Sequence, residues 1–351
     1  MQKKLIALAI AGLVSAPAFA QSNVTIYGIV DMGVSYRSDN ADSSIGSRTS
    51  VDSGVQSGSR IGFRGVEDLG NGLKAGFVLE QGLFVDNGQS RTDGTFSRQS
   101  YVYLGGGFGT VALGRQYSPQ FNILTNVDPF GTGTVGQVNN LYEINTRLDN
   151  TIAYVSPSFS GLTVTAAYST DAAATDEAEE GWNQEGVGNV GDVRVWAISP
   201  VYNNGPLMVG LNYHQLKQAK TPGAEKEKVW DLGGAYDFGM AKLAAAYGNR
   251  KVSGDFDQDS WMVGVTVPVG AAGKVLASYV RTETDYTGVT AEEQGRQWAV
   301  GYTHDLSKRT NLYAAYADIS NKNGAEFSVG DSSNGGLGYQ EGLNVGVRHK
   351  F

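Results

Sequence analysis

Along most of the chain, apolar residues alternate with small or polar ones at a period of two. Leu162, Val164, Ala166 and Tyr168 share one side of an extended segment, with Thr163, Thr165 and Ala167 on the other. This is the repeat of a β-strand that separates two environments. The pattern returns in Leu207-Val209-Leu211-Tyr213, Trp230-Leu232-Gly234-Tyr236-Phe238, Trp261-Val263-Val265-Val267 and Trp298-Val300-Tyr302, with Asn212, Asp231, Gly264 and Thr266 among the residues between. Helical periodicity is nearly absent. No stretch approaches the ~18 consecutive apolar residues that a transmembrane helix requires.

The connections alternate as well. Seven short turns marked by glycine, proline, asparagine or aspartate fall near residues 69–72, 105–108, 156–161, 203–205, 237–240, 269–273 and 305–308. Between them lie eight longer polar loops, at about 37–58, 86–95, 117–149, 171–192, 217–228, 252–259, 285–296 and 321–341. With a first strand near 23–36 and a last near 342–351, the count is sixteen. An even number places both termini on the short-turn side, where the first strand can pair with the last and leave no edge. The predicted fold is all-β: a 16-stranded antiparallel transmembrane β-barrel with short periplasmic turns and long extracellular loops. A soluble propeller or sandwich would bury the same alternating face against a second sheet, but it gives no reason for aromatic rings at strand ends. Tyr27, Tyr36, Tyr103, Tyr168, Tyr213, Tyr236, Tyr247, Tyr279 and Tyr302 lie in or at the ends of predicted strands, and Phe108, Phe159 and Phe238 lie in turns. Two aromatic girdles at headgroup level are expected.

Composition narrows this picture. The 351 residues include 48 glycines, 18 tyrosines and no cysteine, which excludes disulfide-stapled scaffolds and thiolate metal sites. A formal charge of −8 argues against nucleic acid as a partner. The first twenty residues read as an export signal: Lys3 and Lys4, the apolar run Leu5 to Val14, and Ala18-Phe19-Ala20 before a cleavage point between Ala20 and Gln21. Residues 21–351 would then form the barrel, with a formal charge of −10 once the two lysines are removed.

The chain ends on Phe351, which shares a face with Val345, Val347 and His349. Together with Val24-Thr25-Ile26-Tyr27-Gly28, Ser59-Arg60-Ile61-Gly62-Phe63-Arg64-Gly65, Glu67-Asp68-Leu69-Gly70-Asn71-Gly72-Leu73, Leu113-Gly114-Arg115-Gln116 and Asp128-Pro129-Phe130-Gly131, this ending makes residues 21–351 resemble a trimeric general diffusion porin of the Gram-negative outer membrane. The resemblance implies a water-filled channel for passive diffusion of ions and small polar solutes. It implies a third loop, about 117–149, that carries Pro129, Phe130 and Gly131 and folds inward to narrow the lumen. It also implies a homotrimer whose contacts use the first, last and adjacent strands, with the loop at 86–95 latching onto a neighbour. The surroundings would be outer-membrane lipid and lipopolysaccharide, and Phe351 would be the signal read by the barrel assembly machinery. No cofactor is implied.

A sixteen-stranded barrel is too wide for side chains to fill, so charge on its inner wall sets selectivity. Arg60 and Arg64 alternate with Ile61 and Phe63, and Arg98 alternates with Tyr101 and Tyr103; all three arginines are expected to point inward. Arg147 precedes the sixth strand. By the resemblance, Arg60, Arg98 and Arg147 match the basic cluster of the constriction, and Asp128 and Glu143 would form the acidic side, giving a transverse field. The direction of Arg115 is open. More arginine than carboxylate at the constriction points to anions. Asp171, Asp176, Glu177, Glu179, Glu180, Glu185 and Asp192 in the fourth loop point to cations gathered at the mouth, to a solvated loop or to a divalent-cation site.

Two other functions compete. A barrel enzyme would need its chemistry from three histidines, at 214, 304 and 349, with no G-x-S-x-G, Ser-x-x-Lys or His-Glu-x-x-His pattern. Asp257 and Asp259 read as loop solvation, and Gly131-x-Gly133-x-x-Gly136 has no βαβ unit around it. A channel specific for a small organic anion or sugar would line its path with rings, whereas most aromatic residues here fall on the outward parity.

Overall fold

A computed structural model describes residues 23–91, 94–172, 193–218 and 225–351. Sixteen antiparallel wall strands pair in sequence, and the first pairs with the last, from Ile29 opposite Lys350 to Asn40 opposite Tyr339. They are β1 (Asn23–Asn40), β2 in two segments (Arg48–Ser53 and Arg60–Gly70), β3 (Leu73–Phe84), β4 (Gln99–Gly106), β5 (Gly109–Tyr117), β6 (Arg147–Val155), β7 (Leu162–Ser169) and β8 (Val193–Asn204). The second half comprises β9 (Leu207–Gln218), β10 (Glu227–Asp237), β11 (Lys242–Val252), β12 (Phe256–Val269), β13 (Gly273–Tyr286), β14 (Glu293–Asp305), β15 (Thr310–Lys322) and β16 (Tyr339–Lys350). A short ribbon, Gln89–Ser90, pairs with the end of β3 outside the closed wall.

The expected signal segment, including Ala20 and Gln21, lies outside the described residues, as do Asp176, Glu177, Glu179, Glu180, Glu185 and Asp192. All seven short turns fall where the sequence places them. The sixth outer loop does not span 252–259: β11 and β12 stay paired up to Val252 opposite Phe256. Asp257 and Asp259 therefore stand on a strand, where Asp259 accepts the Tyr247 hydroxyl at 2.6 Å.

Alternation explains the wall. On β10, Trp230 and Leu232 are exposed on the outside while Val229 and Asp231 are buried inside. An outer aromatic belt runs over nine consecutive strands, β7 to β15. Tyr168 lies opposite Trp196, Tyr213 opposite Trp230, Tyr247 opposite Trp261, and Tyr279 opposite Trp298. Trp196–Tyr213, Trp230–Tyr247, Trp261–Tyr279 and Trp298–Tyr316 bridge these pairs with centroids 5.1, 5.3, 5.4 and 5.3 Å apart. Phe108, Phe159, Tyr236, Phe238 and Tyr302 are exposed at the opposite rim. Tyr27 and Tyr103 do not join either girdle. On β1 the outward residues are Val24, Ile26 and Val30, and on β4 they are Val102 and Leu104, so both tyrosines face the lumen.

Two loops fold into the barrel, where the sequence pointed to one. The third carries α1 (Pro119–Val127), N-capped by the Ser118 hydroxyl accepting from Phe121 N–H at 3.0 Å, with Pro119 at the first helical position. Leu124, Val127, Phe130, Val135, Val138, Leu141 and Ile144 pack against Ala235, Ala246, Met262, Ala299, Ala315 and Ala317 of the inner wall. Small wall residues create the space. A Cβ on Gly264 would stand 2.4 Å from Pro129, and one on Gly301 would stand 2.7 Å from Phe130.

The eighth loop, 323–338, also turns inward. Asp331 receives Arg37 at 2.8 Å, and the Arg37 guanidinium also meets Asp52 at 3.3 Å. Both loops are fastened at the break in β2. The carbonyl of fully buried Val55 accepts Thr134 N–H at 2.7 Å and Ser332 N–H at 3.3 Å.

Candidate functional site in the channel

The third loop covers the wall of β10 to β16, so the open path runs past β2 to β6. Here the side chains of Arg60, Arg98 and Arg147 come together. Arg98 Nε donates to Glu80 Oε1 at 2.9 Å, and Arg60 Nη1 approaches the same oxygen at 3.4 Å. Arg98 Nη2 and Arg60 Nη1 both reach the Tyr117 hydroxyl, at 2.9 and 3.3 Å, while the Arg147 guanidinium lies over the Tyr117 ring at 5.0 Å. Three guanidiniums around one carboxylate leave a formal charge of +2. In a narrow aqueous passage that charge raises the local anion concentration.

Arg64 stands apart from the cluster, exposed, with its guanidinium 5.2 Å from the Tyr27 ring centroid. Arg115 is paired with Asp149 at 2.6 Å, beside the bulge at Gly114 that resets the strand alternation. Arg91 lines the outer side of the passage with Arg98 and Arg147.

The acidic side differs from expectation. Asp128 is only 5% exposed. Its carboxylate accepts the backbone N–H groups of Phe130, Thr132 and Val138 at 3.0, 2.8 and 3.1 Å, closing the turn after α1. Burial pushes it up to about 6 despite these three donors. Pro129 and Phe130 are wedged against the wall glycines, and Gly131 takes the left-handed φ of 61° in the same turn, so these residues set the loop's shape. Glu143 does line the passage, opposite Arg91, Arg98 and Arg147, and pairs with Arg250, which is held in turn by Glu227.

The carboxylate at the centre of the basic cluster, Glu80, was not singled out in the sequence. The available signal was its position as the one charged residue between Lys74 and Asp86, in an otherwise apolar or uncharged strand. Arg98 does point inward, but not through strand alternation with Tyr101 and Tyr103. It precedes β4, after Phe96 at φ 60°, and both tyrosines also face the lumen.

The terminal residue closes the seam. Phe351 exchanges backbone hydrogen bonds with Gly28 at 3.1 and 3.2 Å, and its ring occupies the space of the absent Gly28 side chain.

A closed, lipid-facing barrel with a charged internal passage is a membrane channel. A sequence profile described as Gram-negative porin matches residues 7–324, and the chain belongs to that family. It is similar to an outer membrane porin protein of Bordetella pertussis and to outer membrane porin protein 32 of Delftia acidovorans, each 36% identical and each matched over the full length of both chains. Among solved structures it is similar to an anion-selective porin from Comamonas acidovorans, with 34% identity, a TM-score of 0.77, and coverage of 94% of this chain and 100% of that one. OmpT of Vibrio cholerae, solved in a trimer form, shares the fold at 18% identity with a TM-score of 0.68, covering 94% of this chain and 99% of that one. The protein is therefore a porin of the bacterial outer membrane, a channel and not an enzyme.

Proposed function

We propose that this porin passes small anions in preference to cations, and that Arg60, Arg98 and Arg147 with Glu80 form the selective wall of its constriction. The observation that carries the reading is the cluster beside the open path in which Arg60 and Arg98 share the Glu80 carboxylate and Arg147 lies over the adjoining Tyr117 ring. Glu143, with Arg250 and Glu227, forms the opposing side and gives the passage a transverse field. Arg64 acts on the periplasmic side of this point. The similarity to a porin described as anion-selective supports the same sign.

The porin acts as a homotrimer in lipopolysaccharide-bearing membrane. The aromatic belt covers nine strands, while β16 and β1 to β6 present mainly aliphatic residues, Leu343, Val34, Val51, Val102, Leu113 and Ile152 among them, with Tyr36 and Tyr154 as exposed aromatic residues. Such an aliphatic face suits packing against a neighbour. Export is followed by cleavage between Ala20 and Gln21, and Phe351 is presented to the assembly machinery.

Reversal potentials in a potassium chloride gradient test the proposal. The native channel gives a chloride-over-potassium ratio above one, and the triple change of Arg60, Arg98 and Arg147 to alanine brings it to one or below. An unaltered ratio in that variant would remove the cluster from the mechanism. Conductance falling in three equal steps tests the trimer.

A further inference from the structure

We propose that the periplasmic half of the channel holds a binding station for small aromatic carboxylates. The inference rests on the reading of the lumen as an anion path and goes on to name a class of solute. Below the arginine cluster, a recess of about 700 Å³ opens in the wall of β1 to β5 beneath α1, lined by Arg64, Val78, Tyr101, Tyr103, Tyr117 and Asn122 among others. For scale, an apolar cavity of about 150 Å³ already accommodates benzene.

The recess has one charge of the required sign. Arg64 is exposed and has no carboxylate partner among the described residues, and no carboxylate lines the recess. The nearby Glu80 is engaged by Arg60 and Arg98. Arg64 follows Arg60 by four residues on the same face of β2, about 13 Å further along the path. An anion leaving the cluster therefore meets a second guanidinium.

The other walls offer ring faces. Tyr101 and Tyr103 lie with centroids 6.3 Å apart at 47°, whereas the Tyr117 ring is already covered by Phe121 at 4.7 Å and Arg147 at 5.0 Å. Tyr103 lies over Gly76 and Tyr27 over Gly62, where any Cβ would come within 2.4 Å of the ring. Glycine thus lets each tyrosine lie against the wall, and the Tyr27 ring carries the Arg64 guanidinium 5.2 Å from its centroid at the edge of the recess. Guanidinium and tyrosine faces together favour a carboxylate attached to a ring, since offset and edge-on ring contacts add to simple burial. An aliphatic anion engages only the charge.

The test uses the full-length trimer in planar bilayers, with benzoate, cyclohexanecarboxylate and acetate added on the periplasmic side while chloride current is recorded. Benzoate is expected to half-block at a concentration about tenfold below that of cyclohexanecarboxylate, which matches it in charge and approximate size. Tyr103→Leu should erase that difference, and Tyr101→Leu serves if the first variant does not form barrels. Arg64→Gln should weaken block by benzoate about tenfold. Equal block by the two ring acids, or benzoate block unaltered in Arg64→Gln, overturns the station. The chloride-over-potassium ratio measured in the same membranes keeps the two readings apart. A cation-selective native channel refutes the anion path itself, whereas an anion-selective channel indifferent to the ring refutes only the station.

Discussion

Glu80→Gln isolates the electrostatic role of the constriction. Glu80 takes hydrogen bonds from Arg98 at 2.9 Å, Arg60 at 3.4 Å and the Tyr27 hydroxyl at 3.2 Å. Glutamine keeps the shape and one acceptor oxygen but removes the charge, raising the cluster from +2 to +3. For an ion passing at ~6 Å in a water-like dielectric, one unit charge is worth about 0.7 kcal/mol, or roughly a factor of three in local concentration. Since chloride gains and potassium loses by the same factor, the permeability ratio should rise up to about tenfold. The screening length is ~10 Å at 0.1 M salt and ~3 Å at 1 M, so the gain should shrink sharply between these conditions. Reversal potentials at both salt levels provide the assay. A ratio that does not rise, or a rise of equal size at 1 M, refutes the assignment of the selective field to this cluster.

Three further outcomes follow from the loops and the seam. Asp331, held by Arg37 with Asp52 on the far side of that guanidinium, is pushed up by burial to about 7 from its ordinary 3.8. The docked eighth loop therefore binds a proton more readily than an undocked one, and docking strengthens as pH falls from above 7 towards 4; single-channel recordings should show the outer mouth narrowing with acid, and Asp331→Asn should abolish that dependence. Asp128→Ala orphans three buried N–H groups and should cost about 3 kcal/mol, read as a lower melting temperature and faster proteolysis within the third loop. A shift in selectivity without loss of stability would instead place that carboxylate on the path. Gly28→Ala forces a methyl group into the Phe351 ring and should lower the yield of heat-modifiable barrels in refolding, while a yield equal to that of the native chain would show that the seam tolerates displacement of the ring.

The barrel was legible because lipid and water impose opposite demands on alternate residues, so strand number, turns and closure all follow from period two. Loop interiors obey no such period. Asp128 looked like a pore acid because nothing local reveals that three backbone N–H groups converge on it across ten residues. Arg98 does not follow strand alternation: the break before Gln99 depends on Phe96 and on the Arg98 N–H bonded to the Glu80 carbonyl, contacts that arise only when β3 and β4 pair. The lumenal tyrosines escaped notice for a related reason. An aromatic residue in a membrane strand reads as lipid-facing unless a glycine across the pair, such as Gly76 or Gly62, signals that its ring lies inside.

The seating of the third loop also bears on the order in which the molecule is made. Val135 N–H bonds to Asn344 on β16 at 2.6 Å, Gln297 on β14 donates to the carbonyls of Gly136 and Gln137, and Thr134 N–H bonds to Val55 beside β2. These anchors come from both ends of the chain, so a nascent barrel whose first and last strands have not met offers the loop an incomplete seat. Closing the sheet and narrowing the passage are therefore coupled: the contacts that seat the third loop are complete only when both ends of the barrel wall are in place.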